Sequence, residues 1–204
     1  MTKVDAIVID DRISYIEATE DPLSADIGMI RGDGVTWLYD VGSDERRIAS
    51  LQGEYNVVLS HFHQDHVGNF GKIGIRTLYV SKETYAHLRL GTIVSTDLYE
   101  GDLHVFPIPS SHAKGCLGLE VDGTYAFVGD ALYGREKNGR YVYNAQLLKE
   151  EIEVLKKLQA PLLLVSHRKG LIRRKEEVIA ELNEIYQRRV KGEPLIEIKP
   201  EWRD

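Results

Sequence analysis

Three histidines and one aspartate fall within six consecutive positions of the stretch SHFHQDHVGNF, residues 60 to 70. His61, His63, Asp65 and His66 carry the imidazole and carboxylate groups that suit zinc, iron or manganese. The whole chain has seven histidines, so this cluster is either a polar surface loop or the first half of a metal site. His61 and His63, two apart in an extended segment, point the same way and can bind one ion together. Asp65 and His66 lie beyond, where the chain must turn, and can face a second ion.

The elements around the cluster decide between these readings. The apolar run EYNVVLS leads directly into His61, HVFPIPSS into His112, TYAFVG into Asp130 and PLLLVS into His167. Four separate strands therefore each deliver a metal-capable side chain at their C-terminal end. Buried strands are rigid, and rigid supports are what a coordination sphere needs. Seven donors exceed the four of a tetrahedral ion, so two ions are the natural count. Two cations about 3.5–4 Å apart can share one water, lower its pKa toward neutrality and polarise a carbonyl or phosphoryl oxygen, which is hydrolytic chemistry.

The rest of the chain gives these strands a setting. VDAIVID, RISYIEA, ADIGMIR and GVTWLYDVG read as successive strands, with Gly32-Asp33-Gly34 as a turn. Short helices are expected at 44–52 and 82–90, then strands DLHVFPIP, GCLGLEVD and TYAFVGD, the last two joined through Asp122-Gly123. Leu148, Ile152, Leu155 and Leu158 recur at helical spacing over 145–159, and Pro161 ends that helix. A C-terminal helix is expected at about 173–190, with Arg173, Arg174 and Lys175 at its exposed start. No repeat or linker divides the 204 residues, so one domain spanning 1–204 is expected.

Composition narrows the function classes. A hydrophobic content of 43% fits a globular domain with a sizeable core, and a net charge of −6 offers no general attraction to nucleic acid or anionic lipid. A single cysteine, Cys116, excludes an internal disulfide and a cysteine-rich zinc site; it reads as a small core residue. No secretory segment and no run near 18 apolar residues is present, so a cytoplasmic protein with no membrane association is expected. His87 and His104 fit no ligand pattern and read as a helix-surface and a strand histidine.

With those elements in place, HFHQDH resembles the HxHxDH signature of the metallo-β-lactamase superfamily, and four further motifs follow the order found there. Asp40 in LYDVG is similar to the first motif, His112 in PSSHAKGCLGL to the third, Asp130 in FVGDALY to the fourth and His167 in VSHRKG to the fifth. The resemblance runs from about residue 26 to 170. It implies an α+β fold, a four-layer αββα sandwich, with a dinuclear site of two divalent ions, zinc first and iron or manganese as alternatives. By resemblance, His61, His63 and His112 would hold one ion and Asp65, His66 and His167 the other. Asp130 would bridge both, Asp65 would handle the proton of the attacking water, and Asp40 would steady the ligand loops from behind.

The same resemblance orders the substrates. A cysteine stands at the position of Asp130 in the commonest β-lactamases, so antibiotic hydrolysis is disfavoured. HAKGCLGLEVDGTYAFVGDALY is closest to the glyoxalase II-like branch. Ser111 and Ala113 depart from that branch's GHT pattern, and the chain past His167 has room for one helix and a tail instead of a glutathione-binding domain. The reading is a hydrolase of a small ester, thioester or lactone. Phosphodiester cleavage and single-iron persulfide dioxygenation are the alternatives. Lys114, Tyr133, Tyr141, Tyr143, Arg168 and Lys169 are the candidate substrate contacts, with an anionic small molecule in view; for Tyr141 and Tyr143 the competing reading is hairpin packing. A homo-oligomer stays open.

Overall fold

The computed structural model describes residues 5–198, which divide between two compact units, one ending at Leu98 and the other beginning at Tyr99. The first unit is built on a seven-stranded sheet. Its strands are β1 (Ile7–Val8), β2 (Ile13–Ile16), β5 (Ile27–Arg31), β6 (Thr36–Tyr39), β7 (Glu54–Val58), β8 (Gly74–Val80) and β9 (Thr92–Ile93), in that spatial order. A small ribbon of β3 (Thr19–Glu20) and β4 (Leu23–Ser24) lies apart from it. Pairing is antiparallel from β1 to β6 and parallel from β6 to β9. In the parallel half, Val57, Val58, Leu59 and Val80 are fully buried, as expected where a continuous apolar run is covered on both faces.

Three short helices serve this sheet: α1 (Glu45–Ile48), α2 (Gln64–Val67) and α3 (Lys82–Leu88). Asp44 caps α1 by accepting from the Arg46 amide, and Ser81 caps α3 by accepting from Thr84. The Arg46 guanidinium hydrogen-bonded to Asp44 also holds that carboxyl below its ordinary pKa. Tyr85 and Leu88 of α3 pack against a core that includes Ile27, Leu38, Val57 and Leu78.

The second unit carries a six-stranded sheet in the order β10 (Leu98–Glu100), β11 (Leu103–Ile108), β12 (Cys116–Val121), β13 (Tyr125–Gly129), β16 (Leu162–Val165) and β17 (Ile172–Arg174). Strands β11 to β13 are antiparallel, β13 and β16 parallel, and β16 and β17 antiparallel. A three-stranded antiparallel sheet, β14 (Arg135–Lys137), β15 (Arg140–Asn144) and β18 (Leu195–Ile198), stands beside two 13-residue helices, α4 (Ala145–Lys157) and α5 (Lys175–Gln187). Asp122 and Gly123 join β12 to β13 with positive φ of 47° and 70°, closed by the Thr124 amide on the Val121 carbonyl at 3.0 Å. Two successive left-handed residues define the type I′ turn that matches strand twist.

Helix α4 begins at Asn144, whose side chain accepts from the Gln146 and Leu147 amides, and it stops where Leu158 turns extended ahead of Pro161. Leu148, Ile152 and Leu155 form its buried stripe, and Glu151 lies in the same stripe, fully buried. Neither Glu151 carboxyl oxygen has a hydrogen-bond partner among the described residues. Burial alone therefore pushes its pKa well up.

Several expectations need adjusting. VDAIVID contains a strand only at Ile7–Val8, both exposed, and its Val4 lies outside the described residues. Arg173 and Arg174 do not open the last helix; they belong to β17, where Arg173 pairs with Leu163 across the ladder. The helix starts at Lys175, two residues later than expected, where the Lys175 amide is tied to the Pro161 carbonyl at 2.9 Å. Strand β18 was not foreseen: Leu195–Ile198 is short and takes its place through pairing with β15, a long-range contact that local pattern does not contain.

Candidate metal centre

The first ligand segment is held by main-chain bonds to its own sheet. β7 ends at Val58, and parallel pairing sets Tyr39 opposite it, so Asp40 arrives beside Ser60. The Asp40 amide donates to the Val58 carbonyl at 2.9 Å. Asp40 Oδ1 accepts from the Ser60 amide at 2.7 Å, and Asp40 Oδ2 accepts from His66 Nδ1–H at 2.7 Å. Asp40, Ser60, His61 and His66 are all buried. Asp40 adopts a left-handed backbone with φ of 60°, a conformation costly for a residue with a Cβ and common where a side chain must be aimed.

His63 is the N-terminal flanking residue of α2, which then presents Asp65 in its first turn and His66 in its last. The Ala25 amide donates to the Asp65 carbonyl at 2.9 Å and the Val41 amide to the His66 carbonyl at 3.0 Å. One helical turn is thereby pinned by loops from two other strands. His66 Nε2 lies 3.6 Å from Asp65 Oδ2. Ser60 Oγ lies 3.0 Å from His61 Nδ1 and 3.2 Å from His66 Nδ1.

The ligand segments of the second unit are fixed in the same manner. Ser110 Oγ donates to the Ala131 carbonyl at 2.7 Å and accepts from the His112 amide at 3.1 Å. Parallel pairing matches Gly129 with Val165, so Asp130 and His167 leave the same end of adjacent strands. The Ser166 amide donates to the Gly129 carbonyl at 3.2 Å, and His167 is left-handed with φ of 61°. Asp130 Oδ2 lies 3.4 Å from His112 Nε2, and Asp130 Oδ1 lies 3.8 Å from His167 Nε2.

Potential ligand atoms gather in each unit, those of His61, His63, Asp65 and His66 in the first and those of His112, Asp130 and His167 in the second. Their donors suit a divalent cation. The carboxylate of Asp40 fixes the proton of His66 on Nδ1, and a neutral ring so fixed offers its Nε2 lone pair. Separations of 3.4, 3.6 and 3.8 Å between donor atoms are close to the about 3.4 Å that tetrahedral bonds of about 2.0–2.1 Å impose on neighbouring ligands.

Of the candidate substrate contacts, Tyr133, Tyr141, Tyr143 and Arg168 line one pocket in the second unit. The Tyr133 hydroxyl donates to the Ser166 carbonyl at 2.7 Å and that of Tyr143 to the Leu132 carbonyl at 3.0 Å. Burial, with the Asp130 charge second, raises the Tyr133 phenol to about 12. Tyr141 and Tyr143 stack edge to face at 5.9 Å within β15, so hairpin packing and pocket lining coexist. Lys114 and Lys169 are exposed and stand outside that lining.

His87 is exposed on α3 and stacks on Phe62 at 4.1 Å, while His104 pairs with Glu120 at 3.2 Å. Cys116 is 1% exposed, and burial drives its thiol up to about 12, which suits packing and not nucleophilic attack. Ser60 was not singled out in the sequence; its place next to His61 was the available signal. Arg188, which also lines the pocket, gave none, since it is far in sequence from every ligand.

No family model matches the sequence, and neither does any curated protein. Solved structures do share its fold. The DIM-1 metallo-β-lactamase superposes with a TM-score of 0.65 at 12% identity, over 91% of this chain and 98% of that one. A metallo-β-lactamase from Hirschia baltica gives 0.66 at 11% identity, over 91% and 98%. A metallo-β-lactamase superfamily protein from the archaeon Sulfolobus tokodaii gives 0.56 at 18% identity, over 85% and 86%. The chain has the metallo-β-lactamase fold, a mixed α+β architecture of several sheets and few helices. No helix among the described residues is long and apolar enough to cross a membrane.

Proposed function

We propose that the chain is a metal-dependent hydrolase with a dinuclear centre, acting on a small ester, thioester or lactone. His61, His63 and His112 would hold one divalent cation, Asp65, His66 and His167 the other, and Asp130 would bridge them, with zinc as the first candidate. The observation that carries this reading is the position of Asp130, whose two oxygens face different histidines, His112 at 3.4 Å and His167 at 3.8 Å. A carboxylate so placed can give one oxygen to each of two ions.

Bound cations of this kind bring a water's pKa toward neutrality and polarise an acyl oxygen. The chain's own residues supply the rest. Asp65 takes the proton of the attacking water as its oxygen bonds to the acyl carbon. It returns that proton to the alkoxide or thiolate as the carbon–oxygen or carbon–sulfur bond breaks. Asp40 keeps His66 in one tautomer and one orientation, and the Ser60 amide keeps Asp40 in place. The aspartate at position 130 and the stretch around it support the glyoxalase II-like branch over the antibiotic-hydrolysing one.

Elemental analysis of the purified protein and a panel of esters, thioesters and lactones test this reading. Two divalent ions per chain and turnover abolished by Asp65→Ala are expected. One iron per chain with oxygen uptake, or turnover equal to the Asp65→Ala control, would overturn it.

A further inference from the structure

Tyr133 lies three residues beyond Asp130, and Arg168 directly follows His167. Both line a pocket of about 210 Å³ that lies wholly in the second unit. Pockets for drug-sized ligands run to about 300–1,000 Å³, so this smaller one is suited to a small acyl or aryl group. Tyr141 of β15 and Val178 and Leu182 of α5 give it an apolar body.

Its polar groups are unequal in what they have left to offer. Three guanidinium groups, Arg168, Arg173 and Arg188, line the pocket against two carboxylates, Glu181 and Glu184. Arg173 and Glu181 satisfy each other in an ion pair. Arg168 is half-buried and makes no ion pair among the described residues, and its positive charge acts on the Tyr133 phenol against the effect of burial. Tyr133 is anchored on the Ser166 carbonyl, two residues before Arg168 in the chain, and both side chains line the same pocket. A planar fork of donors with no acidic partner is matched in shape by a carboxylate.

We infer that this pocket holds the non-reacting end of the substrate, a short apolar or aromatic group bearing a carboxylate, with Arg168 as its specificity-determining residue. The assignment rests on the hydrolase reading for what is cleaved, but not for what is bound.

The test is calorimetric titration of zinc-loaded protein with phenylacetate and with its neutral counterpart phenylacetamide. The wild type should prefer phenylacetate by about 10- to 100-fold, the range for a hydrogen bond to a charged group. Arg168→Gln should bring that preference close to unity, and Arg168→Lys, which keeps the charge and loses the fork, should fall between. Equal affinity for the two probes in the wild type would overturn the inference. So would phenylacetate binding unchanged by Arg168→Gln, including the case where it vanishes on metal removal, since the ions would then be the carboxylate's partner. Arg168-dependent binding without turnover of any ester would leave the pocket assignment standing and remove the hydrolase reading.

Discussion

Replacing Glu151 with glutamine should change how the protein's stability depends on pH more than it changes stability at any one pH. The carboxyl group sits in the apolar stripe of α4 between Leu148 and Ile152, fully buried and without a hydrogen-bond partner among the described residues. Burial raises its pKa well above the ordinary 4.5. A raised folded-state pKa means that folding favours the protonated form. The associated stability is fully present below pH 4.5 and is lost as pH rises toward the folded-state value. The loss is about 1.4 kcal/mol per pH unit, or about 2.7 kcal/mol over two units while the folded-state carboxyl stays protonated.

Glutamine has nearly the same shape and no proton to lose. Urea denaturation of wild type and Glu151→Gln under one metal condition at pH 5, 6, 7 and 8 isolates this one group, because the histidines and any added metal are common to both. The variant should match the wild type or fall slightly below it at pH 5 and gain on it steadily toward pH 8. Parallel stability curves across that range would show that Glu151 titrates normally and that its burial carries no such penalty.

Asp40→Asn must lose one of two acceptor contacts, because an amide has a single oxygen to offer both His66 Nδ1–H and the Ser60 amide. Metal affinity should fall by about 10- to 100-fold in competition with a chelating dye, and unchanged affinity would refute the orienting role. Gly118→Ala places a Cβ 2.3 Å from Phe106 Cζ and 2.9 Å from Ile108 Cδ1; the overpacked core should lose about 1–3 kcal/mol in urea denaturation. Asn144→Ala removes the acceptor for two amides at the start of α4 and should lose about 1 kcal/mol by the same measure. Chelation with EDTA should lower the thermal unfolding midpoint and zinc should restore it, as linkage requires of any ligand bound to the folded state alone. A midpoint indifferent to both would count against the metal centre.

Much of the candidate site was legible because several of its potential ligands lie close beyond the end of a strand. His61 lies just past β7, Asp130 just past β13, and His167 just past β16, so an apolar run ending in a ligand-capable residue was signal enough. The turn at Asp122-Gly123 and the stripe on α4 were likewise local. What escaped was set by distant pairing. Arg173 and Arg174 carry the composition of a helix start, yet the β16 ladder claims them. Strand β18 exists because β15 offers it an edge. The pocket lining brings Arg168 together with Arg188, and no spacing rule joins those two positions. Glu151 breaks the helical pattern, and only its burial in the fold gives that break a meaning.

A single hydroxyl, that of Ser60, reaches the rings of His61 and His66, the proposed ligands of different cations. Were the two proposed ions bound, their coordination spheres would not be separate compartments. A shift of either imidazole is felt by its neighbour through this shared contact. Loading of the first cation should therefore alter the readiness of the second position, and stepwise occupancy should depart from what two isolated sites would give.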